Sequence, residues 1–265
     1  MTTARFRDLL AAEWIKLWSL RSTSWLIGLG SLAIVAFAAQ SSLDAYNSWP
    51  GFTAMEKATF SPLNEAFSAL GACMLMIGAG SLGALTIVGE YATGLIRTTL
   101  AAVPARHLVV AAKLTVTGAV TLVTGTLISA GTFGVSQAIL SGRGVAVSLG
   151  DPGVLRVLAA NALLAPVSAL VGMGIGALVR HTAAAVVTVC AALVIVPTFF
   201  KPTVHQWQND LFALVPFYVW RYCLHLPRLD VDPALPTVGG AWAVFALWPL
   251  AAAVVTLIVV QRRDV

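Results

Sequence analysis

Six stretches of 20 or more consecutive residues carry no charged side chain. They separate Arg21 from Asp44, Glu65 from Glu90, Lys113 from Arg143, Arg156 from Arg180, Arg180 from Lys201 and Asp232 from Arg262, and run to 22, 24, 29, 23, 20 and 29 residues. A helix needs roughly 20 apolar residues to cross the hydrocarbon core of a bilayer. That core offers no water to the backbone, so continuous runs of this length must be helical, whereas a β-barrel would alternate over segments of about ten residues. The expected fold class is therefore an all-α membrane protein, a single transmembrane domain over 1–265 with six transmembrane helices. The expected spans are 25–39, 67–88, 108–140, 158–179, 183–200 and 239–260.

Composition closes off the alternatives. Hydrophobic residues make up 58% of the chain and charged residues 10%, against about 45–50% and about 25% in a soluble domain. Disorder needs the opposite balance. Cys73 and Cys190 lie within apolar runs and only Cys223 sits in a polar region, so a disulfide framework is excluded. The first 24 residues lack the short apolar core and small-residue cleavage site of a secretory signal.

Basic residues orient the chain. The N-terminus, the segment after span two, the turn after span four and the C-terminal tail together hold Arg5, Arg7, Lys16, Arg21, Arg97, Arg106, Lys113, Arg180, Arg262 and Arg263. That side carries a net charge of +6 and the opposite side −1. Positive loops stay in the cytoplasm, which places both termini there. The basic balance thus reflects topology and anionic lipid, and no nucleic-acid motif accompanies it. Arg outnumbers Lys twelve to four, which, with abundant Ala, Val and Gly, suggests a GC-rich bacterial genome and a bacterial plasma (inner) membrane.

Three segments outside the spans carry information. Residues 5–21 predict an N-terminal interfacial helix, with Phe6, Leu10, Trp14, Leu17 and Trp18 on one face and Arg5, Asp8, Ala12, Lys16 and Ser19 opposite; Leu9 and Leu20 interrupt the polar face. Residues 90–106 are longer than a connection requires. Leu95, Ile96 and Leu100 recur at helical spacing, which predicts a short amphipathic helix broken at Gly94 or before Pro104. Residues 201–236 include ten uncharged residues after Asp210, too few to span, which predicts a re-entrant or interfacial outer segment with Trp207, Tyr218, Trp220 and Tyr222 at headgroup level.

Enzymatic chemistry finds no foothold. The four lysines precede Leu17, Ala58, Leu114 and Pro202, so no Lys-Ser/Thr pair can form a phosphate-binding loop. His107, His181, His205 and His225 include no pair at i, i+4, so no metal site and no bound cofactor are expected. The spans are read as holding Ser, Thr, Asn161 and Gln137 but no acid or base, against the pattern of ion-coupled carriers. Gly78, Gly80 and Gly83, with Gly172, Gly174 and Gly176, suit close helix packing.

The stretch Glu13–Trp25 (EWIKLWSLRSTSW) resembles the start of bacterial ABC type-2 permeases, the membrane subunits of ATP-binding-cassette exporters, and Gly89–Lys113 (GEYATGLIRTTLAAVPAR…AK) is similar to the cytoplasmic connection after span two in that family, above all in actinobacterial members. The resemblance implies an elbow helix at about 5–21, including Glu13, Trp14, Lys16 and Arg21. It implies a coupling helix at about 90–99, with Glu90, Tyr91, Gly94, Arg97 and Thr98 meeting the partner. That partner would be a separate ATPase subunit carrying ATP and magnesium, alongside a second permease copy or paralogue. The expected function is then export of a hydrophobic or amphipathic compound (drug, antibiotic or lipid) by a chain that is not itself an enzyme. The alternatives are an ion-coupled secondary transporter and a permease-like subunit that translocates no solute.

Overall fold

The computed structural model describes residues 5–95, 98–99, 103, 105–199, 206–225 and 236–262. Among these, every regular element is helical. Helix α1 (Phe6–Ser19) is separated from α2 (Arg21–Ser48) by Leu20, whose extended backbone turns the chain. A 3₁₀ turn at Trp49–Gly51 leads into two short helices, α3 (Ala54–Thr59) and α4 (Pro62–Ala66). Three long helices follow: α5 (Ala69–Ala92), α6 (Arg106–Ser141) and α7 (Val154–Val179). Helix α8 (Thr182–Cys190) continues through a wide π-helical turn, Ala191–Ile195, into Val196–Phe199. Helices α9 (Gln206–Leu214) and α10 (Pro216–Tyr218), the latter prolonged by a π-helical stretch at Val219–His225, precede the final α11 (Val238–Arg262).

Five stretches are long and apolar enough to cross a membrane: Arg21–Gly51, Pro62–Ala92, Arg106–Ser141, Val154–Val179 and Val238–Gln261. The expected span at 183–200 differs. Its apolar helix, Thr182–Ile195, is shorter than the other five. Pro197 supplies no N–H to the Leu193 carbonyl one turn earlier, and the ladder widens just before it.

Helix α7 forms the centre of the bundle, with 61% of its most apolar window buried, whereas α2 is peripheral at 17%. Helices α5 and α7 touch backbone to backbone. A Cβ on Gly83 would lie 1.9 Å from the Ala169 carbonyl oxygen, and one on Gly172 would lie 1.9 Å from that of Gly80. Only glycine permits this approach, and dispersion between two backbones is the main attraction available to helices in lipid. Gly174 faces Ala252 of α11 less closely, with 3.3 Å left for a Cβ, while Gly78 faces open space.

One end of the bundle gathers α1, the last turn of α5, the first turns of α6, the end of α7 and the start of α8. Leu9 packs on Val109 and Ala112 of α6, and Val259 of α11 joins Tyr91, Leu114 and Ala177 in a neighbouring cluster. At the opposite end, His225 Nε2 lies 2.9 Å from Asn64 Oδ1, and the Arg156 guanidinium donates to the Leu224 carbonyl. Trp220, expected at headgroup level, is instead fully buried and stacked on His225 with ring centroids 5.0 Å apart. Cys223 is buried beside it, while Trp207 and Tyr222 are exposed. Burial, and secondarily Arg221, lowers the His225 pKa to about 4.

Candidate functional site

Four charged side chains meet inside the end of the bundle that holds α1. Glu13 and Lys16 come from α1, Glu90 from the last turn of α5 and Lys113 from the second turn of α6. Lys16 Nζ is 2.7 Å from Glu13 Oε1 and 2.8 Å from Glu90 Oε1. Lys113 Nζ is 3.0 Å from Glu90 Oε1 and also bonds Glu13 Oε2. The two ammoniums and two carboxylates alternate in a closed, neutral ring. Glu13, Glu90 and Lys113 are 5%, 8% and 5% exposed, so the charges are largely out of water and survive by pairing. Burial alone would lower the Lys16 pKa, but the hydrogen bonds to Glu13 and Glu90 outweigh it and hold the ammonium above its ordinary value.

The local sequence explains the convergence. Helix α1 turns Leu9, Glu13 and Leu17 inward, one residue per turn, and Leu17 packs on Val116 and Val120 of α6. The buried stripe is therefore rotated from the aromatic face read on the helical wheel. Phe6, Trp14 and Trp18 point outward, where they suit a membrane interface. Leu9, which interrupted the polar face, is one of the residues that fixes α1 to α6.

The sites expected from sequence are thus partly brought together. Glu13, Lys16 and Glu90 form three corners of the ring. Glu90, expected to contact a partner, directs its carboxylate into the protein. Tyr91 lies beneath Arg180, whose guanidinium sits 4.4 Å from the ring centroid. Gly94, one of the two break points the sequence offers, takes a left-handed backbone with φ of 70° just beyond the end of α5. Thr98 is exposed and donates to the Leu95 carbonyl; Arg97 lies outside the described residues. Trp14 and Arg21 are exposed, so the ring draws only Glu13 and Lys16 from the elbow set.

Lys113 is the residue that sequence reading missed. It stands seven residues into α6, roughly 10 Å along its axis. The spans are therefore not all free of charge. The available signal was a lysine two turns inside an otherwise apolar helix, which demands a buried partner. Among the described residues, no group of three His, Cys, Asp or Glu side chains is placed to hold a metal ion.

The ring forms one wall of a cavity of about 550 Å³, bounded also by Leu17, Ser22, Thr23, Leu82, Thr86 and Thr117. Such a volume suits a small molecule. The five helices long and apolar enough to cross a membrane mark the chain as a multi-pass α-helical membrane protein. Compared with known proteins, the sequence matches no family model and no curated protein.

Proposed function

We propose that the chain is the permease subunit of an ATP-binding-cassette exporter in a bacterial plasma membrane, moving a hydrophobic or amphipathic compound with energy from a separate ATPase subunit. The observation that carries this reading is the meeting of the two segments on which the sequence resemblance rests. Residues 13–25 and 89–113 are distant in sequence, and Glu13, Lys16, Glu90 and Lys113 tie them together. The connection between α5 and α6 is anchored at both flanks, by Glu90 and by Lys113, to the same elbow helix. A force applied to that connection would move α1, α5 and α6 as one unit. ATP-driven closure of a partner would then bias the permease between two arrangements.

Six crossings with both termini in the cytoplasm accord with the packing. Thr182 borders the ring-side cavity, and α11 returns to that end at Val259. This reading therefore expects the chain to cross between α8 and α11, despite the broken helix that follows α8.

A second reading, an ion-coupled carrier, draws support from the buried carboxylates beside a cavity. The pairing opposes it, because each carboxylate is already matched by lysine and a coupling cation would face a compensated site. Affinity purification of the full chain from its native membrane separates the two. The permease reading expects a Walker-motif ATPase to co-purify and its hydrolysis to respond to the permease in proteoliposomes. Transport by the isolated chain on an ion gradient alone would refute it.

A further inference from the structure

The cavity beside the charge ring does not end at the ring. Leu26 and Leu82 line both it and a second, apolar cavity of about 300 Å³ between α2, α5 and α6, walled by Ile34, Leu75 and Ile128. The ring-side cavity, with its charged corner, thus adjoins an apolar slot running deeper along the spans, and Leu26 and Leu82 stand at their common border. The chamber also keeps unspent bonding capacity. Glu90 receives both lysines on Oε1, leaving Oε2 without a partner among the described residues. The hydroxyls of Thr23 and Thr117, 6% and 2% exposed, likewise have none. Lys16 Nζ uses two of its three hydrogens on Glu13 and Glu90. Ser22 and Thr23 bring the first turn of the 28-residue α2 to the same wall, where helix N–H groups favour an anion.

These groups select a kind of ligand. The ring is neutral, so a head with net charge would add an uncompensated charge beside Glu13, Glu90 and Lys113, which are themselves largely shielded from water. A dipolar head adds none. Its ammonium can donate to Glu90 Oε2 and Thr117, while its anionic end accepts from Lys16 and the start of α2. The single slot behind Leu26 and Leu82 suits one alkyl chain. We propose that the two adjoining cavities bind a single-chain zwitterionic amphiphile with a primary ammonium, its head at Glu90 and Thr117 and its chain passing Leu26 and Leu82 into the apolar slot. The fate of the bound molecule rests on the permease reading; the binding itself does not.

The test uses the purified full chain in nanodiscs, without an ATPase, and measures binding of labelled lysophosphatidylethanolamine. Lysophosphatidylcholine and lysophosphatidic acid of equal chain length serve as comparisons. The choline head has no N–H to give Glu90, and the acid has no cation. Losing a hydrogen bond to a charged group corresponds to about tenfold or more in affinity, so the ethanolamine head should bind tightest by that factor. Gly78 lines the slot, and a Cβ there meets nothing within 4 Å, so Gly78→Phe should start from open space and fill the slot while leaving the helix contacts in place. Its binding should fall about tenfold while the thermal midpoint holds. Thr117→Val should weaken the ethanolamine head more than the choline head. Equal affinity for all three heads, or unaltered binding in Gly78→Phe, overturns the proposal. So does spontaneous disulfide dimerisation of Gly78→Cys, which would make the slot an interface between copies. Failure to recover an ATPase would sink the transport reading and leave a positive binding result standing.

Discussion

Replacing Lys113 by Met tests whether the ring holds the bundle's end together. The substitution keeps an unbranched side chain of similar reach in a position only 5% exposed, so packing changes little. Electrostatics change greatly. Glu13 and Glu90 would be left with Lys16 alone, a buried excess of one negative charge. At an effective dielectric of about 20, a unit pair at the 3.0 Å separating Lys113 from Glu90 attracts by about 5 kcal/mol. Part of that loss is offset because Lys113 no longer has to be desolvated and no longer repels Lys16. Breaking a buried pair by removing one partner costs about 3–5 kcal/mol, which lowers the midpoint of a chain this size by roughly 6–20 °C. The assay is thermal unfolding of purified protein in one detergent, followed by circular dichroism. Glu13→Gln in the same background restores neutrality, with Lys16 facing Glu90, so the double variant should be more stable than Lys113→Met alone. A Lys113→Met midpoint within about 2 °C of the unmodified protein, less than 1 kcal/mol, would refute the ring as a structural lock.

Two further outcomes follow from the packing. Gly83→Leu should destabilise by at least about 1–3 kcal/mol, because its Cβ meets the Ala169 carbonyl oxygen at 1.9 Å and α5 cannot keep its contact with α7; the same thermal assay reads it, with Gly78→Leu as the tolerated control. His225, held to a pKa of about 4 by burial and Arg221, resists protonation that the unfolded chain accepts below about 6.5. Stability is therefore full above pH 6.5 and declines as pH falls toward 4, by up to about 3 kcal/mol. His225→Gln should flatten that slope, and a pH-independent midpoint in the unmodified protein would count against the buried neutral imidazole.

The spans were legible because a bilayer imposes a length that no other environment demands. Their ends were not. Helix α2 runs on to Ser48, well past residue 39, because Gln40, Ser42 and Asp44 become polar without becoming helix breakers; Gln40 even donates to Asp44 one turn later. The irregular crossing after α7 was concealed for the opposite reason. Residues 183–200 are uncharged and mostly apolar, and a hydropathy count passes over Pro197, just before which the ladder widens. Trp220 was misplaced because aromatic residues are equally at home in headgroups and in a core, and the choice is made by His225 and Phe217 packed around it. In the site, Glu13 and Lys16 were singled out as parts of the elbow helix and Glu90 as a contact to a partner. What sequence could not supply was their meeting, since Glu13 and Lys113 are 100 residues apart.

That meeting also changes what the connection after α5 can do. Buried ion pairs contribute little net stability over an apolar replacement, and their better-attested use is to specify one arrangement among several of similar energy. Helix α1 is attached to α6 mainly through small apolar contacts at Leu9 and Leu17, which would tolerate sliding by a turn. The ring removes that freedom, because a one-turn slip would bring Leu9 or Leu17 opposite Lys113 and Glu90, strip each of its α1 partner and leave the two with only each other. Glu90 Oε1 accepts from one lysine on α1 and one on α6, so α5 cannot rotate without disturbing both. Under the permease reading, a push on residues 93–105 therefore reaches the spans through a neutral and geometrically unique joint. An apolar joint of equal strength would yield to the same push by slipping.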